Sequence, residues 1–236
     1  MVQALKDYVK DGGKLLVSGA KAVERFGGAF LGVGAGRWVD KAIYHVPAED
    51  GTVPVFSEPW RLVRLAGARS LGSLGTTPLA GERMLPHPAA TLNRVGKGAV
   101  ACIPGSVFRD FNRSRYPLTR AFVHDVTRAL AGRMDIEVEA PACVDVVLRQ
   151  KGARRIIHLI NRSSGIPNLP NSGVIDEIPA VGPVTIAMRV VARPKKVTLA
   201  FEKTGIQLKY VPARKAGSVR IVVAAVRIHS AVVVEG

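Results

Sequence analysis

The pattern of apolar and polar residues changes its period along the chain. Residues 5–9 place apolar side chains at helical spacing, and Gly12 follows, where a helix commonly ends. Residues 14–17 form an apolar run typical of a buried strand, and residues 20–26 indicate a second short helix. The start of the chain therefore predicts helix, strand, turn and helix, an α/β arrangement.

A Gly- and Pro-rich stretch follows, over residues 27–90. Its short apolar runs at 42–46 and 61–65 predict strands joined by long loops. The next segment, "ATLNRVGKGAVACIPG", is clearer. An extended run, a Gly-Lys-Gly turn at 96–98 and an apolar strand at 99–103 predict a hairpin.

A longer helix is expected after Tyr116. Pro117 suits the first helical position, and apolar residues then recur every four positions until Gly132, which ends the helix. These apolar residues are Leu118, Phe122, Val126 and Leu130.

After Pro141 the period becomes two. Seven short strands are predicted, separated by turns and one long loop at 162–182. Their sequences are "CVDVVLRQ", "RIIHLIN", "PVTIAMRVV", "KVTLAFE", "IQLKYV", "SVRIVVAAV" and "RIHSAVVVE". We therefore expect an incomplete doubly wound α/β domain at residues 1–135 and an antiparallel β-sandwich at 141–236.

Composition and charge narrow the classes of function. The chain has 236 residues, 47% of them hydrophobic, and a net charge of +16. Such a positive charge is common in proteins that bind nucleic acid. The densest basic clusters, residues 109–120 and 149–155, carry few aromatic side chains for stacking on bases, so a specific nucleic-acid partner is not indicated. No apolar run reaches the roughly 20 residues of a membrane span.

The two cysteines and five histidines give no sign of a metal site. Cys102 and Cys143 lack CxxC spacing, so both are expected to be buried structural thiols, and unpaired thiols favour a cytoplasmic location. No histidine pair has the spacing of metal ligands. The histidines are His45, His87, His124, His158 and His229.

Three further features of the sequence bear on catalysis or cofactor binding. "GVGAGR" at 32–37 fails the dinucleotide fingerprint because Arg37 stands where glycine is required. Ser18 lies where a strand turns into a helix, but Leu16 and Ala20 break the nucleophile-elbow pattern, so a turn residue is expected. Hydrolysis of glycosides needs two carboxylates in a cleft, and sequence alone does not bring any two together. The acids considered were Asp176, Glu177 and Glu202.

The order of several segments resembles a known family. "LKDYVKDGGKLLVSGA" and "LNRVGKGAVACIPGSVF" are similar to the glutamine-amidotransferase-like domain of β-galactosidases, the trimerisation domain, in which "L..YV..GG.LLV" and "R..GKG.V" recur. "RIIHLINRSSG" and the strands after it resemble the β-sandwich that ends many barrel glycosidases.

The resemblance implies an accessory role. In that family further strands and a helix precede the "L..YV..GG" segment, and the catalytic carboxylates belong to an upstream barrel, so none is carried over to this chain. Amidotransferases place a Cys at the elbow, where this chain has Val17, Ser18 and Gly19. The resemblance therefore implies no catalytic residue, cofactor or metal, and an incomplete sheet edge that a second copy or an upstream barrel chain would cover.

We expect a non-catalytic, oligomerising region of a glycoside-hydrolase-like protein. One alternative is carbohydrate binding by the sandwich, although its only aromatic residues are Phe201 and Tyr210. Another is a small hydrolase whose pocket in the first half is lined by four side chains. These are Trp38, Asp40, His45 and Trp60.

Overall fold

The chain folds into two compact units, Met1–Arg133 and Met134–Gly236. The structure is a computed structural model, and it describes residues 1–48, 51–79, 82–114, 116–132, 134–163, 178–200, 206–212 and 217–236. Helices occur in the first unit, and every described element of the second unit is a strand.

The described part of the first unit contains five helices and ten strands. The helices are α1 (Val2–Lys10), α2 (Ala22–Phe26), α3 (Gly28–Leu31), α4 (Val107–Ser114) and α5 (Pro117–Ala131). The strands are β1 (Lys14–Ser18), β2 (Val33–Val39), β3 (Ala42–Ala48), β4 (Gly51–Ser57), β5 (Trp60–Leu65), β6 (Arg69–Ser70), β7 (Ser73–Gly75), β8 (Met84–Pro88), β9 (Thr91–Val95) and β10 (Gly98–Ile103).

A mixed sheet with the order β1-β10-β9-β6 forms the centre of this unit. β1 and β10 pair in parallel, with Leu15 opposite Val100, and all other described strand pairs are antiparallel. Because side chains alternate along β10, Val100 and Cys102 pack toward α2 and α3, whereas Ala101 and Ile103 pack toward α5. Helices therefore cover both faces of this sheet.

Several predicted elements are confirmed here. α1 ends at Lys10, followed by Gly12 with a φ of 118°, a value that favours glycine. The hairpin β9–β10 turns where the Gly-Lys-Gly sequence predicts it. α5 begins at Pro117 and ends before Gly132, but Leu118 is 44% exposed although it follows the apolar period. The helical period thus places the helix correctly and overstates its buried face.

Residues 33–88 contain more regular structure than the sequence predicts. The two predicted strands are present as β3 and β5, and five more strands stand where the sequence predicts loops. β2 pairs with β5 in a ribbon, β4, β7 and β8 join β3 in a sheet of order β4-β3-β7-β8, and β6 lies on the edge of the central sheet. Close backbone approaches hold them together. A Cβ on Gly105 would lie 2.0 Å from the ring of Trp60, which is fully buried. Prolines lie within β3, β4 and β8, and a bulge interrupts β2, so the alternation along these strands is hard to recognise from sequence.

The second unit is made of eight described strands. They are β11 (Ile136–Glu139), β12 (Val144–Lys151), β13 (Arg154–Asn161), β14 (Val184–Val190), β15 (Lys196–Ala200), β16 (Ile206–Val211), β17 (Gly217–Val223) and β18 (His229–Glu235). They form two antiparallel sheets with the orders β11-β14-β17-β16 and β12-β13-β18-β15.

The seven strands predicted from the period of two are all present, and β11 is an addition. One side-chain row of each sheet enters a common core, for which Ile157, Ile186 and Ile221 are fully buried examples. The expectation of an α/β part followed by a sandwich therefore holds at the level of fold class, in a chain that is mostly antiparallel sheet.

Candidate functional site

A cleft lies at the carboxyl ends of β1 and β10. Its volume is about 430 Å³, and its lining includes Ser18, Lys21, Arg25 and Ser106. The carboxyl edge of parallel strands is where α/β folds commonly bind ligands, because the following loops and helix starts converge there. This makes the cleft the first place to look for chemistry.

The Ser18 hydroxyl is committed to a structural hydrogen bond. Its Oγ donates to the carbonyl oxygen of Gly105 at 2.8 Å, which ties the end of β1 to the loop after β10. A nucleophilic serine needs a neighbouring base that accepts its proton, and a peptide carbonyl is not such a base. Ser18 is the last residue of β1, one position before the predicted turn, and its hydrogen bond gives it a structural role. The charged side chains that line the cleft are Lys21 and Arg25.

The cysteines differ in burial. Cys102 lies in the middle of β10 and is 1% exposed, and burial raises the pKa of its thiol to about 12. The thiol is therefore protonated at neutral pH, whereas a cysteine that acts as a nucleophile must be a thiolate. Cys143 is only half-buried, so the expectation of two buried thiols holds for Cys102 alone.

Two histidines that are far apart in the sequence are in contact. Nδ1 of His158, on β13, lies 3.0 Å from Nε2 of His229, on β18, and the two rings are within 15° of parallel. The two strands pair with Ile160 opposite His229, so the contact is diagonal. Only the strand register could have revealed this pair. Across the described residues, no group of three potential metal ligands comes together.

The other histidines have separate surroundings. His124 is exposed, with Nδ1 3.7 Å from a carboxylate oxygen of Asp125. His87 is half-buried, with Nδ1 2.9 Å from the carbonyl oxygen of Val63. His45 is buried in β3, and burial lowers its pKa, because the charged imidazolium would lose its hydration.

The four side chains considered for a hydrolase pocket do not converge. Trp60 is fully buried and packs edge-to-face on Tyr44, and His45 is buried in β3. Trp38 donates from Nε1 to a carboxylate oxygen of Asp40 at 2.7 Å, in an exposed pair. Two are thus core residues, and the other two pair with each other at the surface.

The remaining candidates fall partly outside the described residues. Asp176, Glu177, Phe201 and Glu202 are in this group. Tyr210, the other aromatic residue of the sandwich, is half-buried against the core, and its ring would collide with a Cβ on Gly217. Its ring is therefore not an open platform for a sugar.

The fold of the whole chain recurs within known glycoside hydrolases. No family model and no curated protein matches its sequence. The α-L-fucosidase isoenzyme 2 from Paenibacillus thiaminolyticus matches over 100% of this chain and 38% of its own, at 20% identity and a TM-score of 0.71. A GH42 β-galactosidase from G. stearothermophilus matches over 100% and 30%, at 14% identity and a TM-score of 0.52. A β-galactosidase from Rahnella sp. R3 matches over 93% and 30%, at 15% identity and a TM-score of 0.51.

This chain therefore has a fold that occurs as part of glycoside hydrolases, and it spans about a third of the length of those it matches. At these identities the similarity concerns the fold. No helix among the described residues is long and apolar enough to cross a bilayer.

Proposed function

We propose that residues 1–236 form a non-catalytic accessory region of a glycoside-hydrolase-like protein and serve in subunit assembly. In this proposal the catalytic barrel lies elsewhere in the protein or in a partner chain. The support is the full coverage of this chain by glycosidase structures of which it matches only about a third. The engaged hydroxyl of Ser18 and the protonated thiol of Cys102 also favour a structural role for the first unit.

Within this proposal, residues 1–135 are a glutamine-amidotransferase-like domain of the trimerisation type, and residues 141–236 are the sandwich domain. The segments that carry the resemblance lie side by side, since "GGKLLVS" forms β1 and "RVGKGAVACI" forms the β9–β10 hairpin that pairs with it. Helices on both faces of this sheet fit a doubly wound arrangement. The compact units Met1–Arg133 and Met134–Gly236 support these bounds.

The observation that carries the assembly role is the edge strand β12. Among the described strands it pairs only with β13, so its other edge has unpaired backbone groups. Three successive apolar side chains on it are exposed, up to 51% for Leu148. The others are Val146 and Val147. A long apolar edge of this kind is a template for pairing with another chain.

The sequence of β12 is complementary to itself. An antiparallel pair of two copies centred on Val147 would place Asp145 of each copy opposite Arg149 of the other, and Val146 opposite Leu148. Opposite charges and matched apolar residues would then face each other on both sides of a two-fold axis. The edge thus fits a second copy of this chain.

Light scattering on a size-exclusion column tests this proposal, in 0.3 M salt so that the +16 charge is screened. We expect a dimer, or a larger assembly that contains this contact. Val147→Lys would put two like charges at the two-fold axis and should remove the contact. The matched control is Val191→Lys, because Val191 is 93% exposed and lies outside the strands.

Charge reversal gives a second check. Asp145→Arg alone should weaken association, and the further change Arg149→Asp should restore it by exchanging the partners of the pair. A monomeric wild type at 100 µM would contradict the assembly role. Turnover of any glycoside in a chromogenic panel would contradict the non-catalytic role.

A further inference from the structure

The glycine-rich segment "GVGAGR" has a structural role that its sequence did not reveal. It enters β2, which pairs with β5 through a β-bulge. Gly34 lies opposite Arg64 and Arg37 opposite Leu62, so β2 has one more residue than β5 between these pairs. Because side chains alternate along a strand, the extra residue brings Arg37 to the same face as Leu62 and Arg64.

A close backbone approach fixes this bulge. A Cβ on Gly36 would lie 1.3 Å from the carbonyl oxygen of Leu62, so only glycine fits there. The opposite face of the ribbon is built differently. Arg61 is on that side, where it pairs with Glu24 and stacks on the ring of Trp38. Arg61, which has an acidic partner, is thus on one face of the ribbon, and Arg37 and Arg64 are on the other.

A cavity of about 550 Å³ lies against the face with Arg37 and Arg64. Strands β3 and β8 and the residue that follows β7 complete it, and Tyr44, Leu62 and Leu85 give it an apolar part. The polar part of the lining comes from four side chains. They are Arg37, Arg64, Thr76 and His87.

The charged groups of the cavity lining are all positive. Over the described residues its lining contains no carboxylate, and neither Arg37 nor Arg64 has an ion pair or a hydrogen bond there. His87 donates from Nδ1 to the Val63 carbonyl oxygen at 2.9 Å, since that oxygen only accepts, and Nε2 remains as the other ring nitrogen. Two unpaired guanidinium groups beside an apolar wall are suited to an organic anion.

We propose that this cavity binds a small ligand with a carboxylate or phosphate group. Arg37 and Arg64 hold the anionic group, and the uncharged part of the ligand packs on Tyr44 and Leu62. The bulge serves this site by turning Arg37 toward Arg64. The site is independent of the assembly role, because its residues lie in the first unit and β12 lies in the second.

Isothermal titration of the full chain in 0.15 M salt tests the site. The probes are glucuronate, glucose 6-phosphate, inorganic phosphate and, as the neutral reference, glucose. We expect saturable one-site binding of at least one anion, at least tenfold tighter than glucose. The tightest probe tells whether the anion is a carboxylate or a phosphate and whether the sugar contributes.

Three substitutions that each remove one positive charge distinguish binding at this cavity from attraction by the overall charge of the protein. Arg37→Gln and Arg64→Gln should each weaken binding of that probe about tenfold. Arg94→Gln, an exposed position on β9 outside the cavity, should change it less than twofold. All three variants are at exposed positions, and unchanged thermal unfolding would verify their fold.

Two results would overturn the proposal. One is the absence of saturable binding by all three anions. The other is an equal loss of affinity in Arg94→Gln, which would mean that the overall positive charge, and not this cavity, attracts the anion.

Discussion

The two units achieve close packing by different means. In the first unit, backbones approach each other at glycines: a Cβ on Gly98 would lie 2.1 Å from the carbonyl oxygen of Val9, and one on Gly36 would meet Leu62. In the second unit, two sheets meet through rows of aliphatic side chains such as Ile186 and Ile221. The arginine-lined cavity lies among the short strands of the first unit, and the exposed apolar edge strand β12 belongs to the second. This is why the ligand proposal concerns the first unit and the assembly proposal the second.

The strongest test of this comparison is a matched pair of core truncations. Ile103 and Ile221 are both fully buried, one in each unit. Ile103→Ala and Ile221→Ala should each lower the unfolding free energy of their own unit by about 2–5 kcal/mol. Both tryptophans of the chain, Trp38 and Trp60, lie in the first unit, so urea unfolding followed by tryptophan fluorescence reports on that unit alone.

Ile103→Ala should therefore shift the fluorescence transition, and Ile221→Ala should leave it in place. Far-UV circular dichroism, which follows strands in both units, should register both variants. If Ile221→Ala moved the fluorescence midpoint as far as Ile103→Ala, the two units would unfold as one, and the comparison would lose its basis.

A smaller effect is expected from pH in the first unit. Burial lowers the pKa of His45 from 6.5, so the folded state binds fewer protons than the unfolded state once the pH falls below 6.5. Stability should then decrease on acidification, by at most about 1.4 kcal/mol between pH 6.5 and 5.5. The measurement is urea unfolding by tryptophan fluorescence at several pH values.

The variant His45→Gln should flatten this pH dependence. His124→Gln is the matched control, because it makes the same substitution at an exposed histidine. Identical slopes in the wild type and in His45→Gln would show that another group causes the pH dependence.

The smallest effect is expected at the surface of the sandwich. Arg154 and Glu235 face each other across β13 and β18, with Nε and a carboxylate oxygen 3.1 Å apart. Because the pair is solvated, a double-mutant cycle with Arg154→Gln and Glu235→Gln should give a coupling of about 0.2–1 kcal/mol. Far-UV circular dichroism would measure it, and 1 M salt should reduce it. A coupling that salt leaves unchanged would contradict a screened, exposed pair.

The period of two was sufficient to predict the sandwich strands, because each alternates between a core and solvent. In the first unit, local patterns also predicted β10, where the apolar residues are continuous, and α5, where they recur at helical spacing. They failed for β2, since a bulge breaks the alternation and glycines carry no side chain to mark a face. Local patterns record burial well and strand partners poorly.

The same limit applies to the sites. The local motif predicts a turn residue at Ser18, whereas the structure places Ser18 at the end of β1, with its hydroxyl bound to the Gly105 carbonyl oxygen. The contact between His158 and His229 depends on the register of strands 71 positions apart. Likewise, Arg37 and Arg64 share a cavity because the bulge in β2 pairs Arg37 with Leu62 and not with Arg61. Such groupings arise from pairing between distant segments, which composition and spacing do not encode.

The bulge in β2 has a consequence for recognising related proteins. If the same residues paired without the bulge, Gly36 would stand opposite Leu62 and Arg37 opposite Arg61, so the guanidinium of Arg37 would turn to the side where Arg61 stacks on Trp38. The pairing of this segment is thus as important as the identity of its residues. A homologue that shares the cavity should keep both arginines on one face, either through the bulge with glycine at position 36 or through a strand that is one residue shorter and pairs without it.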